Sequence, residues 1–407
     1  MAAFTLSVLL GLLWAARSTG AYRRILIIWG VDVFDFPFLD TETMLSGARC
    51  LRAGIDVYVA NPCDTLGRVY DYSPLWMLIA RAPVTIAWGT PIGIAIALLY
   101  CGAVALLPAA RAPRHVLAMT LGAVSTVAAF AVERGNNDVV LFTLAACAAA
   151  LACRSPAFRI LGYCFALLAG LLKYYPLALM ALAARERPAR LAAITAAAIL
   201  PTALFVTLAW GDLTRALGLI PTGDYFGGMF GSIQVAGGIS TLIDGAPPLI
   251  PLIRWTMSAA ALGLGARLSF RVTTVEAIAA LPLRERAFLL AGGLLTLGCF
   301  FTAQNIGYRA IHLLLTLPAL LALRGGGSKL FYPAPALVLA LLWSDCWRRG
   351  LLYVAKLIGP DSRPFVALLG WMAREALWWW LIALLAACVF GLLRRSTLLG
   401  PRAPLWA

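Results

Sequence analysis

Carboxylate side chains are concentrated in one stretch of the sequence. Seven Asp and Glu residues lie between Asp32 and Asp71, although only 13% of the 407 residues are charged. A positioned carboxylate can take a proton from a reacting hydroxyl group, so general-base chemistry is what this stretch could supply. Asp40 and Glu42, in the segment Phe38-Leu-Asp-Thr-Glu42, are two of its members.

Three further polar segments interrupt an otherwise apolar chain. They are Glu133-Arg-Gly-Asn-Asn-Asp138, Lys173-Tyr-Tyr-Pro176 and the segment 302–312. With the first stretch they supply carboxylates, amides and cations, a set that suits deprotonation of a hydroxyl and departure of an anionic leaving group. Short Asn/Gly turns often serve only as turns, Arg309 could extend its charge to the membrane surface, and His312 could be a core residue. Lys173 is a functional candidate, because an ionisable residue inside an apolar stretch is costly.

The composition excludes an ordinary water-soluble domain. Apolar residues make up 62% of the chain and the mean hydropathy is +0.87, so there is too little polar surface to cover the apolar part. A net charge of +15 would suggest nucleic acid in a soluble protein. The arginines fall mostly at the ends of apolar segments instead, which indicates membrane lipids as partners and no nucleic acid.

The apolar runs predict an all-α, polytopic membrane protein of about 12 membrane segments. Ala2–Ala16 is interpreted as an uncleaved first transmembrane helix, although its length resembles that of a signal peptide.

Residues 34–76 form a loop whose apolar residues recur at near-helical spacing, which predicts an amphipathic helix on the membrane surface with Asp40 near its start. Phe158–Ala184, interrupted at Lys173-Tyr-Tyr-Pro176, predicts a hairpin of two half-length helices. The remaining predicted spans are Gly89–Ala109, Val116–Val132, Val139–Cys153, Leu191–Trp210, Pro248–Gly265, Ala287–Thr302, Ala310–Leu323, Leu330–Trp343 and Leu377–Leu393.

Basic residues set the predicted orientation. With a cytoplasmic N-terminus the inner loops hold 16 Arg and Lys against three Glu. Short and almost purely basic inner loops follow the positive-inside rule. The acid-rich loop and the other polar segments then lie on the extracytoplasmic face. The inner loops in this topology are 110–115, 154–159, 184–190, 266–286, 324–329 and the tail after Leu393.

Cysteine spacing predicts no metal site. Most of the nine cysteines lie in apolar segments, where cysteine acts as a small core residue. Cys50 and Cys63 lie in the acid-rich loop, where a disulfide and two free thiols are both compatible with the sequence. The chain has no Cys/His spacing for zinc, and no spacing of its acids demands a divalent cation. We therefore predict no metal and no cofactor.

A series of motifs runs through the first half of the chain. It comprises Leu39-Asp40, Ala48-Arg-Cys-Leu-Arg-Ala-Gly54 with Tyr58, Tyr72-Ser-Pro-Leu75, Arg134-Gly-Asn-Asn137 and Leu172-Lys-Tyr-Tyr-Pro176. Their order and spacing resemble glycosyltransferase family 87, the polyprenol-phosphate-mannose-dependent mannosyltransferases of the GT-C superfamily. The similarity covers about residues 35–190, and beyond them it rests on hydropathy and the segment Tyr308–Pro318. The family commonly has Gln at the position of Asn136 and Tyr-Pro-Pro at Tyr72-Ser-Pro74.

The resemblance implies a single transmembrane domain of the GT-C type over residues 1–407, with a catalytic part in 1–210 and a variable part in 211–407. It implies an inverting transfer of a sugar from a polyprenyl-phosphate donor to a glycolipid or glycan acceptor at the extracytoplasmic face. The family's sugar is mannose, and arabinose or glucose are alternatives. Asp40 matches the family's general base. We assign donor-phosphate binding to Arg134, Lys173, Arg309 and His312, and substrate binding to Glu42, Tyr72, Asn136, Asn137, Asp138, Tyr174, Tyr175 and Tyr308.

Other assignments remain open in the sequence. Residues two apart on a helix point in different directions, so Asp40 and Glu42 are not expected to share one pocket. The resemblance favours Asp40 over Glu42 as the base, and Glu42 then supports the site or binds the acceptor. Asp32, Asp35, Asp56 and Asp64 are expected to be solvated. A secondary transporter or lipid flippase with a broken-helix site at Lys173–Pro176 is the alternative function. The Ala- and Arg-rich composition indicates a bacterium, and hence its inner membrane.

Overall fold

The computed structural model describes residues 20–34, 36–220, 222–243, 249–325, 328–359 and 361–396, together with residues 11, 15, 17 and 18. The predicted first span, Ala2–Ala16, lies almost entirely outside these residues, as do Asp35 and the end of the C-terminal tail. The described chain is nearly all α-helical. Its two short strands, β1 (Met229–Phe230) and β2 (Asn305–Ile306), form one antiparallel pair.

The helices follow one another through short connections. In chain order they are α1 (Gly20–Ile28), α2 (Leu39–Arg52), α3 (Gly89–Ala105), α4 (Pro113–Ala123), α5 (Thr126–Glu133), α6 (Asn137–Leu151), α7 (Pro156–Leu172), α8 (Pro188–Leu208), α9 (Trp210–Gly218), α10 (Gln234–Leu242), α11 (Ile250–Ser269), α12 (Val272–Ala279), α13 (Leu283–Thr302), α14 (Leu313–Arg324), α15 (Ala334–Leu342), α16 (Ser344–Ile358) and α17 (Ser362–Arg394). Short 3₁₀ helices cover Pro74–Arg81, Ile86–Trp88, Tyr175–Arg185, Gly307–His312 and Lys329–Phe331. Proline occupies the first turn of α4, α7 and α8, where its missing N–H costs no hydrogen bond.

The membrane character of the chain is visible in its helices. Among the described residues, four helices are long and apolar enough to cross a bilayer, and six if two bent helix pairs each count as one span. The bent pairs are α4 with α5, at 41°, and the segment Lys329–Leu342 with α16, at 70°. Every predicted span between residues 89 and 393 overlaps a helix or a bent pair. The total of about 12 membrane segments stays a prediction.

The predicted hairpin is present, but its second limb is a 3₁₀ helix. α7 ends at Leu172, and the limb Tyr175–Arg185 returns antiparallel to it. Arg159, near the start of α7, bonds Glu186, at the end of the return limb, with a nitrogen to oxygen distance of 2.6 Å. The 17-residue α-limb and the 11-residue 3₁₀ limb are of similar length, roughly 25 and 22 Å. The hairpin therefore carries Lys173 at its tip and Glu186 at the opposite end.

Helix α2 confirms the predicted helix in the first loop, with Asp40 in its first turn, but α2 is not a surface helix. Its polar residues Thr41, Glu42 and Ser46 are as buried as its apolar ones. The reason is that segment 53–88 folds over it, held by a disulfide between Cys50 and Cys63 and by packing of the Pro74–Arg81 helix. The acid-rich stretch thus forms a compact cap above the bundle.

Helix α17 begins 15 residues earlier than the predicted span Leu377–Leu393. Arg374 and Glu375 made the preceding segment look polar, but their side chains bond each other at 3.0 Å and are both buried. Arg374 also donates to the carbonyl of Gly227. Because the charges compensate each other, the helix continues through them.

Basic residues meet at one end of the bundle, called the basic end below. There Arg111 pairs with Glu285 at 2.6 Å, and Arg284 and Arg394 donate to backbone carbonyls of neighbouring helix ends. The Arg159–Glu186 pair lies at the same end. Asp40, Arg134 and Lys173 lie at the other end, called the Asp40 end. The residues at the basic end belong to predicted inner loops and those at the Asp40 end to predicted outer segments. The orientation of the two ends across a membrane stays a prediction.

The buried pair at the base of the hairpin gives a stability prediction. Glu186→Ala leaves the Arg159 guanidinium buried without its carboxylate, which should cost about 3–5 kcal/mol of the free energy of unfolding. Thermal unfolding of the purified protein in detergent measures the effect. Glu276→Ala, which removes an exposed carboxylate on α12, should shift the melting temperature by no more than a degree or two. Equal shifts for the two variants would contradict a structural role for the pair.

Candidate active site

The position of Asp40 is fixed through the backbone of the turn after α5. The Phe38 and Asp40 amides donate to the carbonyls of Glu133 and Arg134, at 2.8 and 2.9 Å. Phe38 has a φ of 62°, a left-handed conformation that is rare for a large side chain. Gly135 has a φ of 55°, and a Cβ there would lie 2.3 Å from the Thr41 hydroxyl oxygen. Only glycine allows this close approach of the turn to α2, which brings Asp40 against residues 134–136.

The Asp40 carboxylate is buried among polar partners. Its Oδ2 accepts a 2.6 Å hydrogen bond from the Asn136 amide, and its Oδ1 lies 3.4 Å from an Arg134 nitrogen. Arg68 approaches the same oxygen at 3.6 Å. The Arg134 guanidinium carbon also lies over the rings of Phe34 and Phe130, 4.6 and 5.0 Å from their centroids. These contacts orient the carboxylate and hold cationic charge beside it.

Asn136 joins Asp40 to a second group of charges. While its amide nitrogen bonds Asp40, its amide oxygen accepts from the backbone N–H of Asp138 at 2.7 Å and caps the N-terminus of α6. Asp138 follows in the first turn, where the helix dipole favours a carboxylate. The two carboxylates are therefore linked through a single side chain.

Asp138 is the centre of the second group. Its oxygens accept from Lys173 Nζ at 2.7 Å and from the Tyr175 hydroxyl at 2.9 Å, and Arg309 lies 3.6 Å away. The Tyr175 hydroxyl is also 2.7 Å from His312 Nε2. Lys173 and Tyr175 come from the hairpin tip, and Arg309 and His312 from the 3₁₀ helix that follows β2. The strand pair thus helps to fix the turn that carries two of the predicted phosphate-binding residues.

Accessibility divides the predicted site residues into two layers. The side chains of Arg134, Lys173 and Arg309 are each about 15% exposed (15, 16 and 14%), whereas the side chain of Asp138 is fully buried. His312 is also fully buried, so its contact with Tyr175 places it behind the three cations. A phosphate could touch the three cations directly. His312 would act through Tyr175.

Tyrosines connect the two charged groups. Tyr308 is buried, packs edge-to-face on Phe130 at 5.4 Å and interacts electrostatically with Asp40, Arg134, Asp138 and Arg309. Tyr72 is half-buried and interacts with Asp40, Tyr308 and Asp71. Tyr174, also half-buried, lies beside Ser73. The side-chain amide of Asn137 is buried and makes no hydrogen bond to any residue that the structure describes.

Glu42 makes hydrogen bonds that differ from those of Asp40. Its carboxylate accepts from the hydroxyl and the N–H of Thr65, at 2.9 and 3.2 Å. Arg68 nevertheless links the two acids, because it also bonds Glu42 at 3.3 Å. The expectation that Asp64 is solvated is wrong, because Asp64 is buried and holds Arg68 through two contacts of 3.0 Å. Asp32 and Asp56 are exposed as expected.

Two residues of the site were not predicted from the sequence, Arg68 and Asp71. Arg68 is the only basic residue between Ala53 and Ala80, within an acid-rich segment, and this is the signal that could have identified it. Asp71 is half-buried and interacts electrostatically with Lys173, Arg309 and Asp40. It therefore lies between the two charged groups and belongs to the site.

The Asp71 carboxyl gives a pH-dependent prediction. Burial raises its pKa, an effect that Lys173 and Arg309 oppose and Asp40 reinforces. A carboxyl with a raised pKa binds more protons in the folded than in the unfolded chain, so stability falls as the pH rises from about 4 through the folded-state pKa. Asp71→Asn should therefore raise the melting temperature at pH 7, with a gain that shrinks towards pH 4. A gain for Asp71→Asn that is the same at pH 4 and at pH 7 would contradict the assignment.

Within the described part of the chain, no three His, Cys, Asp or Glu side chains come together in a way that could hold a metal ion. Comparison of the sequence and structure with protein-family models, curated proteins and solved structures finds no match. The resemblance to glycosyltransferase family 87 stays a prediction, so the function must be argued from the geometry of the site.

Proposed function

We propose that the chain is an inverting, membrane-bound glycosyltransferase. It moves a sugar, mannose by resemblance, from a polyprenyl-phosphate donor to a hydroxyl group of a glycolipid or glycan. The observation that carries the proposal is the juxtaposition of one oriented carboxylate with three partly exposed cations at the same end of the bundle. Asp40 is bonded by Asn136 and Arg134, and the buried Asn136–Asp138 link joins it to Lys173 and Arg309.

Asp40 acts as the general base of a single displacement. The acceptor oxygen forms a bond to the anomeric carbon while its proton passes to the Asp40 carboxylate. The bond between the anomeric carbon and the phosphate oxygen breaks, and its electron pair leaves with the polyprenyl phosphate. One base is sufficient for such an inverting step, and no enzyme nucleophile is needed.

The cations stabilise the negative charge that develops on the departing phosphate. Arg134 and Arg309 can offer planar pairs of N–H donors, whereas Lys173 offers a point charge. In a site screened from water by the cap above α2, such charges are worth more than at an exposed surface. Asp138 holds Lys173 and Arg309 in place and limits the positive charge before the donor binds.

Other polar groups are suited to hydroxyl recognition. The buried amide of Asn137, without a hydrogen-bond partner among the described residues, offers both a donor and an acceptor. Tyr72 and Tyr174 can contact a sugar or an acceptor from the half-buried side. Glu42, turned towards Thr65, positions Arg68 and the loop above the site.

The disulfide supports a location of the site outside the cytoplasm. Disulfides persist in oxidising compartments and are rare in the cytosol. Cys50–Cys63 closes the cap over the Asp40 end, while the arginine-rich loops lie at the opposite end. Both observations favour a site on the extracytoplasmic face. In the bacterial inner membrane that the composition indicates, this face is the periplasmic one.

A secondary transporter or flippase is the second candidate. Interrupted helices line transport sites in many transporters, and the chain has a broken segment at Lys173–Tyr175 as well as two bent helix pairs. Cationic side chains buried in the helix bundle would serve a transferase and a transporter equally well. The two functions differ in whether the bond between the sugar and the phosphate of the donor is broken.

Transfer from a labelled donor tests the proposal. Purified protein in vesicles receives a radiolabelled polyprenyl-phosphate mannose and a membrane glycolipid fraction. Wild type should label the glycolipid, and Asp40→Asn should lower the rate by roughly 10²–10⁴, because general-base catalysis is worth about that much. Asp56→Asn, an exposed acid of the same loop, should stay within about twofold of wild type.

Three outcomes would count against this assignment. Wild-type rates for Asp40→Asn would remove Asp40 as the base. Equal losses for Asp40→Asn and Asp56→Asn would indicate a general effect of the loop. Movement of the label across the bilayer without transfer, from this donor and from the glucose and arabinose donors, would favour the transporter.

The proposed side of the site makes a separate prediction. Cells are lysed in denaturant that contains a light maleimide, which blocks every free thiol, and the protein is then reduced and labelled with a heavy maleimide. Peptides with Cys50 and Cys63 should carry the heavy label, because a disulfide protects both thiols from the first reagent. Peptides with the free cysteines Cys164 and Cys299 should carry the light label. Light label on Cys50 and Cys63 would indicate a reducing compartment.

A further inference from the structure

A cleft of about 260 Å³ opens at the basic end of the bundle, far from Asp40. It lies between the start of α4, the end of α14 and the start of α15. Helix α14 begins next to His312 at the candidate active site and runs 12 residues to Arg324 at the cleft, about 18 Å along its axis. The α4–α5 pair separates Arg114 from Arg134 in the same way. The cleft is therefore distinct from the site proposed above.

The mouth of the cleft is cationic. Arg114, His115 and Arg324 line it, and none of the lining residues that the structure describes is a carboxylate. In the described part of the chain neither Arg114 nor Arg324 forms an ion pair. The carboxylate of the adjoining cleft, Glu285, is already bonded by Arg111 at 2.6 Å. Two guanidinium groups thus face one space with no carboxylate there to neutralise them.

An aromatic ring positions one of the two guanidinium groups. The Arg324 guanidinium carbon lies 4.5 Å from the centroid of the Tyr332 ring, a cation–π geometry. Tyrosine and arginine at helix ends are typical of the boundary between hydrocarbon and water. Other parts of the lining are apolar, with Ala118, Ala336 and Leu339. The cleft therefore has a charged mouth and an apolar wall.

We propose that this cleft binds an anionic phospholipid of the membrane leaflet at the basic end. Arg114 and Arg324 hold the phosphate, His115 adds a hydrogen bond, and the apolar wall receives the glycerol and the first part of an acyl chain. A basic pocket between transmembrane helices is a suitable site for such a headgroup. The unopposed pair of guanidinium groups favours a lipid with net negative charge over a zwitterionic one. The proposal does not depend on the glycosyltransferase function.

Direct lipid binding tests the site. The full chain, purified in a neutral detergent, is titrated with fluorescent phosphatidylglycerol and, separately, with phosphatidylcholine carrying the same fluorophore. We expect tighter binding of phosphatidylglycerol. The double variant Arg114→Gln/Arg324→Gln should weaken that binding roughly 30-fold, because each arginine near the membrane surface contributes about 1 kcal/mol to the free energy of binding. Both residues are exposed, so the substitutions leave the core unchanged.

Two further variants separate a built cleft from general surface charge. Arg154→Gln/Arg187→Gln removes the same charge at the same end but outside the cleft, and should change the affinity by no more than about threefold, as expected for distant, screened charges. Ala336→Trp places a large side chain at the apolar wall without changing the charge. It should weaken binding of phosphatidylglycerol at least tenfold, which corresponds to about 1.4 kcal/mol of binding free energy.

Each remaining outcome would overturn the proposal. Equal losses in the two double variants would indicate non-specific attraction to the arginine-rich surface. Unchanged affinity in Arg114→Gln/Arg324→Gln, or equal affinity for both lipids, would remove the site. Displacement of phosphatidylglycerol by millimolar inorganic phosphate, together with no effect of Ala336→Trp, would assign the cleft to a free phosphate compound rather than to a lipid.

Discussion

A buried carboxylate at the start of α6 imposes the arrangement of the Asp40 end. Asp138 is fully enclosed, and a charge inside an apolar bundle is stable only with close partners. Its partners come from the hairpin tip, through Lys173 and Tyr175, and from the turn after β2, through Arg309. Segments more than 30 and 170 residues away must therefore meet at this helix end. The same helix end is capped by Asn136, which transmits the constraint to Asp40.

Much of the fold could be predicted from the sequence, because apolar runs of span length need little tertiary information. The interrupted segment at Lys173–Pro176 was predictable for the same reason, since lysine and proline break a hydrophobic run wherever they occur. The predictions were wrong where contacts between residues distant in sequence, or between paired charges, outweigh the local sequence pattern. Arg374 and Glu375 neutralise each other, so α17 extends through them. Helix α2 has the spacing of a surface helix, but a segment that follows it in sequence covers its polar face.

Which residues form the site was easier to predict than which of their side chains are exposed. Asp40, Arg134, Asn136, Asp138 and Lys173 stand out as polar residues in apolar surroundings, and the structure brings them together. Sequence position gives no indication that the cations Arg134, Lys173 and Arg309 reach solvent while His312 stays behind Tyr175, because burial depends on how three separate segments pack. Asp71 was not predicted, because nothing in the sequence around it distinguishes it from the other six acidic residues of the stretch. The left-handed Phe38 is likewise a product of packing against residues 133–135.

The 3₁₀ conformation of the return limb determines which of its side chains lie on the same side. A 3₁₀ helix has three residues per turn, so every third residue stays on the same side. Pro176, Leu179, Leu182 and Arg185 are the buried stripe, while Leu177, Met180 and Ala183 form a second stripe that faces α8. An α-helix would let such stripes drift by about 60° over three residues. Insertion of one residue would rotate the remainder of the limb by about 120° and exchange one stripe for another, so the register of the whole limb is coupled to the position of Lys173 at its head.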